Sequence, residues 1–89
     1  MKSQDWFVYI VQNEKGYLYT GITTDVERRF AEHRTSKKGA KFFRSSAPID
    51  VLFIKKFPNR SLASKFESMV KKMNRQDKIL LVETGKVKS

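Results

Sequence analysis

The chain has 89 residues, 19 Lys+Arg against 9 Asp+Glu for a formal charge of +10, and no cysteine. That length supports a single domain, and a content of 39% hydrophobic and 12% aromatic residues is too apolar for a disordered basic tail. Disulfide scaffolds, thiolate metal sites and, with one histidine, zinc clusters are excluded, and no run reaches the roughly 18 apolar residues of a membrane span.

Trp6-Phe7-Val8-Tyr9-Ile10-Val11 is short, aromatic and β-branched, which predicts a buried strand. It is too short for the apolar core of a secretory leader. Gln12 to Gly16 is polar and ends in glycine, and Tyr17 to Ile22 reads as a second strand, so the two form an antiparallel hairpin. With Glu14-Lys15-Gly16 as a three-residue loop and Gly16 left-handed, Asn13 faces Tyr17, Tyr9 faces Gly21 and Val11 faces Tyr19. Tyr9 and Tyr19 then share one face of the sheet. A four-residue loop would place them on opposite faces, but the shorter loop gives Gly16 its role.

Thr24 reads as a helix N-cap with Glu27 as its capping-box partner, and the helix runs to about Arg34 or Thr35. Val26 and Phe30 form its apolar stripe, with Arg29 and His33 one turn apart beside it and Asp25 one turn before Arg29, at ion-pair spacing. Ser36 to Pro48 is basic, carries Phe42 and Phe43, and reads mainly as a loop. Ile49 to Phe57 is a third strand, closed by Pro58-Asn59. Leu62, Phe66, Met69, Val70 and Met73 repeat at helical spacing, which predicts a helix from about Ser61 to Met73. Asn74 to Glu83 forms a short final helix, and the tail from Thr84 is frayed. The order β-β-α-β-α(α) predicts an α+β domain, a three-stranded sheet packed by helices, over residues 1–89 with its core at about 6–82.

Between Arg34 and Lys65 the basic residues are Arg34, Lys37, Lys38, Lys41, Arg44, Lys55, Lys56, Arg60 and Lys65, and the acidic one is Asp50. Such a balance points to a polyanion, most often nucleic acid, with affinity that falls steeply with salt. Charge alone does not separate a binder from an enzyme. The second long helix carries Glu67, which lies about 115° from the centre of the apolar stripe, at the margin of the buried face. A carboxylate there can hold a hard cation through oxygen. Arginine can grip a phosphate bidentately, and tyrosine or histidine can move a proton from water. Together these residues suit metal-assisted phosphodiester hydrolysis. Taken singly, each has a plainer reading: amphipathic core tyrosines, a solvated arginine, a surface histidine and a helix salt bridge from Glu67 to Lys71.

Phe7-Val8-Tyr9, followed by Tyr19-Thr20-Gly21, then Thr23 to His33 and Glu67, resembles the GIY-YIG nuclease family. The likeness is greatest to its small standalone bacterial branch, related to the nuclease domain of the bacterial excinuclease and to the catalytic component of the eukaryotic structure-specific endonuclease. Lys38-Gly39-Ala40-Lys41, with Arg44 just after, also fits that branch. Phe7 and Val8 stand where the first motif has Gly and Ile, and Thr20 stands where the second has Ile. The resemblance implies the GIY-YIG fold and an endonuclease that hydrolyses DNA phosphodiesters in repair or recombination. It implies one divalent ion, Mg²⁺ or Mn²⁺, on Glu67. Tyr9 would be a general base or water-positioning group, and Tyr19 would orient the water or the phosphate. Arg29 would stabilise the transition state, and His33 would assist the tyrosine or contact phosphate. Gly21 would leave room for the phosphate or the next helix. Arg28, Lys38, Lys41, Arg44 and Lys71 would contact the nucleic-acid backbone. With little room for a recognition domain, a protein partner supplying specificity is expected, in the cytoplasm and on the nucleoid. Two other readings stand beside this one: a non-catalytic nucleic-acid-binding module on the same scaffold, and an interaction protein docking an acidic partner.

Overall fold

The structure is a computed structural model that describes residues 4–35 and 46–85. These form β1 (Trp6–Asn13), β2 (Leu18–Thr23), α1 (Val26–Thr35), β3 (Pro48–Phe57), α2 (Arg60–Lys71) and α3 (Arg75–Thr84). The strands make one antiparallel sheet in the order β2-β1-β3. The α+β architecture is the one the sequence predicts.

β1 lies in the middle because its apolar run needs cover on both faces. Val8, Tyr9, Ile10 and Val11 are all buried. The β1–β2 register has Tyr9 opposite Gly21 and Val11 opposite Tyr19. The turn that sets this register is closed by Gly16, at φ +85°, with its N–H donating to the Asn13 carbonyl at 3.0 Å. Asn13, itself buried, then ties the loop: its Oδ1 accepts from the amides of Lys15 at 3.0 Å and Tyr17 at 2.9 Å. Against β3 the register shifts twice, between Ile10 and Val11 and between Gln12 and Asn13.

The sheet is covered on both faces. On one, Tyr9 and Val11 pack with Tyr19, Val51 and the α1 residues Val26 and Phe30. On the other, Ile10 packs with Val70 and Leu81, joined by Leu18, Phe53, Phe66, Met73 and Val82. That second core takes Phe66, Val70 and Met73 from the stripe predicted for the long helix and is completed by α3, whereas Leu62 and Met69 of that stripe are exposed.

Helix starts differ from the sequence reading in one place. α1 is capped by Asp25, not Thr24: Asp25 Oδ1 accepts from the Arg28 amide at 3.0 Å. Thr23 Oγ1 accepts from the Asp25 amide at 3.1 Å, so the chain enters the helix one residue later than predicted. The carboxylate also places negative charge at the positive end of the helix. α2 and α3 are capped by Asn59 and Asn74, whose Oδ1 atoms accept from the amides of Leu62 and Asp77. α2 ends at Lys71, slightly short of the predicted Met73, and α3 stops at Gly85, which is left-handed at φ +71°.

Candidate active site

The hairpin register puts Tyr9 and Tyr19 on the face that α1 covers, with ring centroids 6.3 Å apart. α1 brings His33 into the same cluster, 5.9 Å from the Tyr9 ring and 5.3 Å from the Tyr19 ring. Tyr9 Oη and His33 Nε2 are 2.9 Å apart in a buried hydrogen bond. Arg29, one turn before His33, also hydrogen-bonds Tyr9. A guanidinium only donates, so Tyr9 Oη accepts from Arg29 while it shares a second hydrogen bond with His33 Nε2.

Burial, then the nearby Tyr19, push the Tyr9 phenol up to about 12, against the opposing hydrogen bond from Arg29. Burial, then the Arg29 charge, push His33 down to about 4, with Glu32 opposing. At neutral pH both groups are therefore uncharged, and the imidazole tautomer sets which of the two donates. Burial works against the Arg29 charge, but hydrogen bonds to Glu32 and Tyr9 outweigh it and raise its pKa.

Tyr9 and His33 form a buried inner pair, whereas Tyr19 and Arg29 are half-buried and form the outer one. Arg29 is anchored by Glu32, Nη1 to Oε1 at 2.8 Å. Its partner is thus Glu32 one turn ahead, and not Asp25 one turn behind, because Asp25 is engaged in capping the helix. Sequence reasoning does not pick out Glu32 as a member of the site. Its positions three and four residues after Arg29 and Arg28 are the available signal.

Gly21 leaves room for the neighbouring tyrosines. A Cβ built there would lie 2.6 Å from Tyr9 Oη, 2.8 Å from Tyr9 Cζ and 3.1 Å from Tyr19 Cε2. The space its missing side chain leaves is filled by the Tyr9 phenol. The glycine lets the inner tyrosine lie flat across the hairpin and reach His33.

Glu67 sits on α2, which packs against β1 and β2. Its side chain is 19% exposed, and its charge is felt at Tyr9. Lys71 Nζ stands 3.2 Å from Glu67 Oε2. No three His, Cys, Asp or Glu side chains among the described residues group as metal ligands. A cation at Glu67 would therefore take one protein carboxylate and complete its shell with water and substrate oxygens, which fits Mg²⁺ or Mn²⁺ with their preference for oxygen donors. Arg28 is largely exposed and lies 4.0 Å from Glu32. Lys38, Lys41 and Arg44 lie outside the described residues.

The sheet order, the two tyrosines on adjacent strands and the following Arg/His helix define a family. The GIY-YIG catalytic domain model matches residues 5–79, and the chain belongs to this family. It is 45% identical over 80 residues to a UPF0213 protein of Desulfotalea psychrophila, covering 90% of this chain and 73% of that one. It is 44% identical over 82 residues to the UPF0213 protein YhbQ of Escherichia coli, covering 92% and 81% of the two chains. The solution NMR structure of the UPF0213 protein BH0048 from Bacillus halodurans matches at a TM-score of 0.58 and 39% identity, over 89% of this chain and 83% of that one. Membership supports a nuclease-type function with nucleic acid as the substrate class. No helix among the described residues is long and apolar enough to cross a membrane.

Proposed function

We propose that the protein is a metal-dependent endonuclease that hydrolyses DNA phosphodiester bonds, acting in the cytoplasm in repair or recombination. The observation that carries this reading is the buried Tyr9–His33 hydrogen bond, with Tyr19 and Arg29 beside it. A phenol with a pKa of about 12 is a poor base alone. Joined to a neutral imidazole, it becomes a relay: Tyr9 takes a proton from the attacking water as its own passes to His33 Nε2. The water oxygen bonds to phosphorus, the bond to the leaving oxygen breaks, and that oxygen takes a proton from solvent. Arg29, held in place by Glu32, offers its charge to the phosphoryl oxygens, and Tyr19 orients the water or the phosphate. A Mg²⁺ or Mn²⁺ ion on Glu67 would supply further neutralisation of the negative charge that develops in this step. Lys71 and Arg28, with Lys38, Lys41 and Arg44, contact the DNA backbone, and a protein partner supplies specificity.

A nicking assay on supercoiled plasmid and labelled branched DNA, with Mg²⁺, Mn²⁺ or EDTA, tests this reading. Cleavage that needs metal and disappears in Glu67→Ala is the expected result. Glu67→Ala cleaving like the wild type overturns the metal assignment. The burial of Tyr9 and its raised pKa favour a second reading, since a purely structural hydrogen bond would look the same. Under it the domain binds nucleic acid without cutting, and binding without cleavage in either metal, with or without a partner protein, would establish it.

A further inference from the structure

A second surface feature, outside the Tyr9 site, has the chemistry of a nucleotide-binding recess. It has a volume of about 330 Å³, lies between the end of the hairpin and α3, and is lined by Tyr17, Leu18, Arg75 and Lys78. Tyr17 is 58% exposed, the most exposed large hydrophobic side chain among the described residues. Its backbone is nevertheless fixed: its N–H donates to the buried Asn13 side chain at 2.9 Å, and its carbonyl accepts from the Asn13 amide at 3.0 Å. An aromatic ring held open on a rigid turn loses little freedom when something stacks on it.

The charges around that ring are sorted. Arg75 and Lys78 lie three residues apart on α3 and share the recess with Tyr17. The acidic residues of the same helix, Asp77 and Glu83, line a different recess with Gln76, Ile79 and Leu80. No ion pair involving Arg75 or Lys78 is formed among the described residues. An exposed ring beside two cations is the arrangement by which single-stranded nucleic acid is gripped, base on ring and phosphate on cation.

The recess opens beside the strand that carries Tyr19. Tyr17 stands just before the outer strand β2 and precedes Tyr19 by two residues, about 7 Å along the chain. Because β2 is an edge strand, a nucleic-acid strand can pass around it from one face to the other.

We propose that this recess holds an unpaired nucleotide flanking the scissile phosphate, its base stacked on Tyr17 and its phosphates on Arg75 and Lys78. The site would favour substrates with a splayed or single-stranded segment next to the cleavage point. The inference rests on the reading of the protein as a nuclease acting on nucleic acid.

Fluorescence anisotropy in EDTA, with a labelled twelve-nucleotide oligo-dT and a labelled duplex of equal length, tests it. Tyr17→Ala is expected to weaken binding of the single strand about 10-fold, while Tyr17→Phe stays within about twofold, because stacking needs the ring and not the hydroxyl. Duplex affinity should change by less than about twofold in Tyr17→Ala, since a paired base is not available for stacking. Replacing both Arg75 and Lys78 by Gln should lower the slope of log affinity against log salt by about 1.4 for the single strand. Tyr17→Ala binding the single strand like wild type, or losing duplex to the same degree, overturns the proposal. Wild type that binds neither oligonucleotide overturns both this proposal and the nuclease reading. Wild type that cleaves plasmid while Tyr17→Ala binds normally removes this proposal alone.

Discussion

On the α1 face of β1, Tyr9 and Val11 pack among Tyr19, Val26, Phe30 and Val51, and the buried His33 meets the phenol of Tyr9. On the other face, Ile10 packs with Val70 and Leu81 under the rings of Phe53 and Phe66, which stack at 6.2 Å. One strand thus supplies a polar site and an apolar core from alternate residues. The polar face is stable only because its groups are matched: Tyr9 is hydrogen-bonded to both His33 and Arg29, Arg29 has Glu32, and His33 stays neutral. The apolar face owes its stability to burial alone, so substitutions on the two faces should fail in different ways.

The largest contrast is between neighbours. Tyr9→Phe removes the hydroxyl on which the proposed proton relay depends and is expected to slow cleavage by about 10²–10⁴-fold while DNA affinity stays within about twofold. Ile10→Val, one residue on, removes a buried methylene and should cost about 1 kcal/mol of stability with the cleavage rate unchanged. Single-turnover cleavage and urea denaturation of both variants separate the faces. Equal loss of rate in the two would mean that Tyr9 acts only through the fold.

Gly21→Ala comes next. The added methyl meets the oxygen and ring of a Tyr9 that is already fully enclosed, so the ring cannot swing clear. We expect a stability loss of about 2–3 kcal/mol from overpacking, with loss of the Tyr9–His33 contact. The same substitution at Gly85, where a Cβ would meet nothing within 4 Å, encounters only the strain of its left-handed backbone. Urea midpoints for the two variants, with cleavage rates, measure the difference between crowding and strain.

His33 makes the polar face sensitive to pH. Its pKa falls from the ordinary 6.5 to about 4 on folding, so between those values the unfolded chain binds the extra proton. Stability from this group is complete above about pH 6.5 and is lost as pH falls toward 4. Between pH 7 and pH 5 the loss should be about 2 kcal/mol, read from urea unfolding at the two pH values. His33→Gln, which does not titrate, should flatten that dependence, and an unchanged slope in it would place the titrating group elsewhere.

Sequence periodicity and turn chemistry are enough to place the strands, the hairpin register and the amphipathic α2. Each depends on neighbours in the chain: Gly16 sets the loop, the loop sets the register, and the register puts Tyr9 and Tyr19 together. Features that depend on contacts between distant elements are not legible in this way. Whether Asp25 caps α1 or pairs with Arg29 is a competition that only the folded helix settles, and Glu32 gains its role once Asp25 is engaged. The function of Gly21 likewise depends on where a ring from the neighbouring strand comes to rest. His33 reads equally well as a surface residue until α1 is laid on the sheet.

Thr20 shows the rule of the apolar face by breaking it. It stands at the motif position where the resemblance puts Ile, opposite Ile10 and on the side of the sheet away from the tyrosines. The residue is 4% exposed, and its Oγ1 has no hydrogen-bond partner among the described residues. A buried hydroxyl left without a partner costs about 1–3 kcal/mol, whereas a methyl of nearly the same volume costs nothing to desolvate. Thr20→Val should therefore raise stability by about 1 kcal/mol and leave the cleavage rate within about twofold, because the side chain points away from the relay. A urea midpoint that falls instead would show that the hydroxyl is satisfied in solution, by an ordered water or by a residue outside the described segments. The apolar face would then contain a polar contact after all, and the division of labour between the two sides of β1 would be less strict than their packing indicates.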